Sequence, residues 1–404
     1  MSADRAPAAV IWSLGVTQIA GYGTLFYSFA ILAPSISAAF GWPQQWMFAA
    51  LSLSLIAGSL VAPTAGRLAD RHGAGRVMTW GSLAASAALG LAAAAPNAYA
   101  FVGALFAMQV AASFVLYSTA FVAIVQVGGQ RASLSITHLT LIAGFASTVF
   151  WPVTTWLHEV LDWRQVFLAF AALHLLVCLP LHAWIAGHAR RVRAASAQAV
   201  AVDEPPHHPA AASAARRTIF LLMLAGFAAE GFVLNSILIH MVPLTAALGM
   251  GAAGLWASTL FGPAQVASRL VNMVFGGRLP QAWLAVISAC LLPAGLVTLL
   301  LTTPWLPGAL AFVVMFGLGS GLNSIVGGTL PLELFGRAGY GAMVGWATSA
   351  RQFSAAFAPF AFSAMLAGLG IVPSLVTLVV VSFVSVAAFA TIAVLRRTAT
   401  LRPE

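Results

Sequence analysis

Glu230, Arg269 and Arg351 each stand deep inside a long apolar run. An ionised group at the centre of a membrane-spanning helix costs roughly 2.5–3.5 kcal/mol on insertion scales, so such residues are rarely incidental. Arginine stays protonated and can grip a carboxylate through two parallel hydrogen bonds. A glutamate shielded from water can exchange a proton as its surroundings change. Gln265 lies four residues before Arg269 and Asn272 three after it, a spacing that puts all three on one helix face. Such a polar stripe on an apolar helix is expected to face a cavity. Two readings stay open. Glu230 can pair with one arginine as a structural ion pair. One acid cannot neutralise two bases, however, so a residual positive charge would attract an anion. The N-terminal half offers uncharged polar groups instead: Gln18, Tyr22, Tyr27 and His138, with His138 a second candidate for proton exchange beside Glu230. His138 and His174 also read as ordinary core or cavity histidines.

The elements that must position these groups are helices in lipid. Of 404 residues, 61% are hydrophobic and 7% charged, against roughly 25% charged in a soluble domain. Twelve apolar runs reach the roughly 20 residues a spanning helix needs: 8–33, 46–66, 77–95, 98–126, 133–157, 163–186, 216–244, 252–277, 281–302, 306–331, 338–368 and 371–395. They are too long and continuous for barrel strands. The first run reads as a retained helix, since no cleavage-site pattern precedes it. Residues 187–215 differ in composition. They are rich in Ala, Pro and charge, include Arg190, Arg191, Arg193, Asp203, Glu204 and Pro205 to Pro209, and read as a flexible linker.

The net charge of +9 comes from 18 basic residues, all of them Arg. With the N-terminus inside, Arg5, Arg67, Arg71, Arg76, Arg131, Arg190, Arg191, Arg193, Arg216, Arg217, Arg278, Arg337, Arg396, Arg397 and Arg402 all fall in inner loops, and only Arg164 falls outside. That asymmetry predicts both termini in the cytoplasm. Basic residues scattered in short gaps suit anionic lipid rather than nucleic acid. Cys178 and Cys290 are isolated, the His207–His208 pair reads as part of the linker, and no metal site is expected. No nucleophile–base set or phosphate loop is present, so the expectation is no catalytic residue, no cofactor and no enzyme.

The halves echo each other. Pro34 is expected to close the first helix and Pro243 the seventh. Gly66-Arg67-Leu68 follows the second run as Gly277-Arg278-Leu279 follows the eighth, and Ser147 with Pro152 is matched by Ser354 with Pro359. The expected fold is an all-α membrane protein of twelve transmembrane helices in two pseudo-symmetric six-helix bundles, residues 1–186 and 216–404, joined by a cytoplasmic linker at 187–215. Gly317, Gly319, Gly321, Gly327 and Gly328 in the tenth run favour close helix packing. Glu333 and Arg337 look like the second half's counterpart of the loop after the second run.

That loop, Gly66-Arg67-Leu68-Ala69-Asp70-Arg71-His72-Gly73-Ala74-Gly75-Arg76, resembles the G-x-L-x-D-R-x-G-x-x-R signature of the major facilitator superfamily. The resemblance covers the whole layout. It implies a loop latch carried by Gly66, Asp70, Arg71, Gly73 and Arg76. Gly41-Trp42-Pro43 and Asp162-Trp163-Arg164 resemble the oxalate/formate exchanger and monocarboxylate porter subgroup. Two features of drug/proton antiporters are missing: Tyr117 to Gln126 carries no charge, and Gly144 and Pro152 stand eight apart. The resemblance implies a secondary carrier working by alternating access, through anion exchange or proton symport, in the inner membrane; a monomer suffices. Arg269 and Arg351 match the helices whose basic residues hold carboxylates in those exchangers. Arg stands where the subgroup usually has Lys in the second case. Gln265 and Asn272 would orient the anion, with Tyr22 and Tyr27 closing the other side. The alternative is efflux of a small drug-like or metalloid compound.

Overall fold

In the computed structural model, residues 6–129, 131–199, 211–276 and 279–400 are described. Arg5, Arg278, Arg402, Asp203, Glu204 and the His207–His208 pair lie outside them, as do residues 200–210 of the expected linker and the side chain of Arg193. The described residues contain helices and turns and no strand. Twelve helical segments follow in order: α1 Ala8–Phe40, α2 Gln44–His72, α3 Ala74–Ala94, α4 Ala98–Val127, α5 Ala132–Val160, α6 163–199, α7 211–250, α8 251–275, α9 Gln281–Thr302, α10 Leu306–Phe335, α11 Tyr340–Leu369 and α12 Ile371–Thr400. Eleven are long and apolar enough to cross a membrane. Large apolar side chains such as Trp256, Phe275 and Phe360 are largely exposed, as a lipid-facing surface requires.

The eighth segment is not among these eleven. It runs as Gly251–Ser258 and Phe261–Phe275, with a turn at Thr259 and Leu260. Pro263 explains the break, because its ring clashes with the carbonyl four residues earlier, at Thr259.

The prolines expected to close helices do not. Pro34 lies inside α1, which continues to Phe40 and stops where Gly41 turns left-handed (φ 64°). Pro243 lies inside α7, which runs on past it until Gly249 leaves the helical region (φ 85°) and kinks the chain. In a membrane helix, neighbours and local adjustments satisfy the carbonyl that proline frees, so proline alone is not a stop. The expected linker is likewise shorter than read. Residues 187–199 continue α6, and 211–215 open α7, because alanine and arginine are strong helix formers.

Two compact units emerge from the contacts. The first contains residues 1–206 with 335–349, and the second 207–334 with 350–404. The opening turns of α11 thus belong with the first unit. Asp70 holds them there: its carboxylate accepts the backbone N–H groups of Gly341 (2.8 Å) and Ala342 (2.9 Å). A side chain at Gly66 would collide with the Gly341 carbonyl, so glycine is required for this approach. The first unit's core contains the aromatic cluster Phe101, Trp163 and Phe167; the second unit's core centres on Phe312, Phe316 and Phe362.

Helix irregularities in the first unit are satisfied reciprocally. α1 contains a π-helical turn at Gly23–Tyr27, and α4 breaks at Leu116 (φ −85°, ψ −168°). Buried Gln18 of α1 donates to the Val115 carbonyl beside the α4 break (2.7 Å). Buried Gln109 of α4 donates to the Leu25 carbonyl inside the α1 turn (3.0 Å). Lipid offers neither carbonyl a donor. Gln109→Leu is therefore expected to destabilise the protein by about 1 kcal/mol. Thermal unfolding of detergent-purified protein should show a lower midpoint; an unchanged midpoint would refute the role given to this bond.

Candidate functional site

The second unit gathers its charged residues around α10. Gly317 lets α8 approach closely, since a Cβ there would stand 2.7 Å from the Phe261 carbonyl and 2.8 Å from the Ala264 side chain. At Gly321 an added Cβ would run into Ser268 and the Gln265 carbonyl. The close approach brings a polar ladder into register. Gln265 Nε2 donates to Ser320 Oγ (2.9 Å), and Arg269 Nη2 donates to Ser324 Oγ (2.9 Å). Both bonds join residues 55 apart, so the two helices run parallel with one rung per turn. Ser324 donates in turn to the Ser320 carbonyl (3.1 Å). Arg269 is buried, and Gln265 and Asn272 are half-buried. The Asn272 side chain packs against Gly276 at the end of α8.

Arg351 reaches the same stretch of α10 from α11. A Cβ on Gly327 would lie 3.7 Å from its Nη1. Ser324 and Gly327 are three residues apart, so Arg269 and Arg351 address one turn of one helix face. The backbone of Arg351 rests on Gly231 of α7, where a side chain would meet the Arg351 carbonyl and Cγ.

Glu230, the residue before that glycine, is almost fully buried, and the Arg351 charge acts on it. One carboxylate oxygen accepts from Ser288 of α9 (3.1 Å), whose hydroxyl also faces the Gly319 carbonyl (3.0 Å). The other oxygen has no hydrogen-bond partner among the described residues. Among the described residues, the second unit thus holds two bases and one acid in its apolar interior. Its other described acid, Glu333, sits at the end of α10 and accepts from the backbone N–H groups of Gln281 (2.5 Å) and Ala282 (3.4 Å).

The remaining expected residues belong to the first unit. Tyr22 precedes the π-helical turn of α1 and Tyr27 ends it, and both join a half-exposed aromatic set. Tyr22 lies 4.8 Å from Tyr117, and Tyr27 lies 6.1 Å from Trp151, centroid to centroid. His138 is half-buried on α5. His174 is buried and shares a hydrogen bond with Thr24 (2.8 Å). In the loop between α2 and α3, Gly73 has φ 90°, which favours glycine. Arg71 and Arg76 are exposed. Arg337 does not join Glu333; it donates to the Val125 and Gly128 carbonyls at the end of α4, where a cation suits the helix dipole. The Asp162-Trp163-Arg164 triplet forms a helix-capping box with Gln165, and Arg164 binds the carbonyls of Ala93 and Ala95 (2.7 Å each).

Sequence reasoning missed Ser288, Ser320 and Ser324. The signal was present in Ser320 and Ser324, spaced four apart on a glycine-rich helix.

The sequence matches the Major Facilitator Superfamily over residues 14–359. The chain belongs to this superfamily. It is a multi-pass membrane transporter rather than an enzyme. No curated protein matches it in sequence. Solved structures of superfamily transporters share its fold. The human organic anion transporter TETRAN aligns with TM-score 0.68 at 14% identity, covering 95% of this chain and 100% of that one. The proton:xylose symporter XylE, bound to 6-bromo-6-deoxy-D-glucose, aligns with TM-score 0.70 at 14% identity, covering 95% of each chain. The transporter FucP in its outward conformation gives 0.66 at 12% identity, covering 95% and 98%.

Gly321→Val should force α8 and α10 apart and break both rungs of the ladder. The expected cost is about 1–3 kcal/mol, read as a lower unfolding temperature. Ser324→Ala, which leaves the helix contact intact, should cost less. Equal stability of Gly321→Val and wild type would show that the close approach is not needed.

Proposed function

We propose that this superfamily transporter carries a small organic anion, a mono- or dicarboxylate, by alternating access of two six-helix bundles, residues 1–186 and 216–404. The observation that carries the proposal is the charge balance around α10: Arg269 and Arg351 address one turn, and among the described residues Glu230 is the one acid buried in the same unit. Arg269 and Arg351 bind the carboxylate, Gln265 and Asn272 orient it, and Tyr22 and Tyr27 line the first unit's side of the path. A guanidinium pair suits the planar, bidentate geometry of carboxylates. The fold shared with a human organic anion transporter is compatible with this substrate class.

Glu230 and His138 are the candidates for carrying a proton. Glu230 is the stronger one, because it is buried beside Arg351 with one oxygen unbonded. Binding the anion at Arg351 would weaken that arginine's hold on Glu230 and so link substrate to proton. The loop residues Gly66, Asp70, Arg71, Gly73 and Arg76 serve as a latch rather than a substrate site. The inward arginines favour an inner-membrane protein with both termini cytoplasmic, acting as a monomer.

Counterflow in proteoliposomes loaded with a panel of small carboxylates tests the reading. Wild type should exchange at least one carboxylate. Arg269→Ala and Arg351→Ala should each lower the rate about tenfold or more, as expected for loss of a charge-assisted bond. Glu230→Gln should keep counterflow and lose accumulation driven by a proton gradient if the cycle is symport. Folded, inserted protein that exchanges no carboxylate would refute the substrate class and favour efflux of a drug-like or metalloid compound.

A further inference from the structure

The arginine-rich end of the first unit contains two adjoining pockets apart from the residues proposed to hold substrate. One is an apolar groove of about 490 Å³ between α2, α3 and α4, walled by Leu68, Val77, Trp80 and Phe114, with Ala84 along it. The other is a smaller polar pocket of about 210 Å³ where α3 meets α6, lined by Gly75, Gln126 and Arg190 among others. His72 and Arg76 line both, so the two meet at these side chains.

The polar pocket has a fixed floor. Gln126 accepts from the Ala74 N–H and donates to the Ala69 carbonyl (2.9 Å each), tying the end of α2 to the start of α3. Gly75 packs directly on the Ala186 backbone, which sets the α3–α6 wall. The charge around it is one-sided. Arg76, Arg190 and His72 line it, and no acid does. Asp70, the acid of the loop, is turned away to the N–H groups of Gly341 and Ala342.

We propose that the joined pockets bind one anionic phospholipid. Its phosphate lies between Arg76 and Arg190, with His72 beside it, and one acyl chain runs along the groove against Trp80 and Phe114. Three observations favour a lipid over a soluble anion. The larger pocket is apolar and has no use for a free phosphate. Its volume lies within the roughly 300–1,000 Å³ of small-ligand sites, enough to hold a chain segment. Trp80 is 71% exposed on a membrane-spanning helix close to its basic end, where tryptophan meets the head-group layer. A basic pocket between transmembrane helices, opening beside an apolar groove, is suited to an acidic head group.

Native mass spectrometry of the full chain tests this, with phosphatidylglycerol, phosphatidylethanolamine and inorganic phosphate as probes. Wild type should bind phosphatidylglycerol at least fivefold more tightly than phosphatidylethanolamine, and millimolar phosphate should not displace it. The double variant Arg76→Gln, Arg190→Gln should lose that preference. Ala84→Phe, at an exposed position along the groove, should weaken both lipids while keeping the preference for the anionic one. Equal binding of the two lipids by wild type, unchanged binding by the double variant, or displacement by phosphate would overturn the proposal. Photo-crosslinking on wild type gives an answer even if a variant fails to fold. A photoactivatable phosphatidylglycerol should label the peptide spanning residues 68–84, and label confined elsewhere would overturn the proposal.

Discussion

Lipid tails can neither donate nor accept a hydrogen bond, so every polar atom within these helices must be met by its own helix or a neighbour, or carry its full desolvation cost. That constraint organises both units. Gln18 and Gln109 exist where they do because α1 and α4 each break regular helical bonding at a point the other can reach. Gln265 and Arg269 find Ser320 and Ser324 because glycines on α10 remove the bulk that would keep α8 out of range. Packing and polar satisfaction are therefore one arrangement. The small residues set the distance, and the hydroxyls and amides use it.

Carboxylates follow the same logic at the helix ends. Asp70 covers the first N–H groups of α11, and Glu333 covers those of α9. Each acid neutralises the positive end of a helix dipole and removes two exposed donors at once. Arg337 does the opposite service for the carbonyls ending α4. Asp70, Glu333 and Arg337 are thus committed to helix termini. Glu230, Arg269 and Arg351 are different, because no helix terminus explains them.

Much of the architecture was legible in the sequence, because lipid imposes a length and a composition on every span. The twelve runs and the family signature are features of that kind. Helix ends were less legible. Pro34 and Pro243 read as stops by the rules of soluble helices, yet both are carried inside longer helices whose ends depend on glycines with positive φ. The site was half legible. Charges in apolar runs announce themselves, so Glu230, Arg269 and Arg351 could be picked out directly. Ser320 and Ser324 left only their four-residue spacing as a signal and Ser288 left none, because a serine in a membrane helix usually bonds its own backbone, and the three-dimensional register shows which ones face a partner.

The interruption of α8 at Thr259 and Leu260 divides that helix into two pieces of different allegiance. The piece that bears Gln265 and Arg269 is joined to α10 by two rungs and two glycine contacts, while its covalent tie to the preceding piece is a turn without a helical core. Mechanically, the segment from Phe261 to Phe275 is a splint on α10 more than a continuation of α8. A displacement of the earlier piece would be absorbed in the turn. The spacing between the arginine and its serine would then stay constant, and the guanidinium would keep its aim whatever the rest of that helix does.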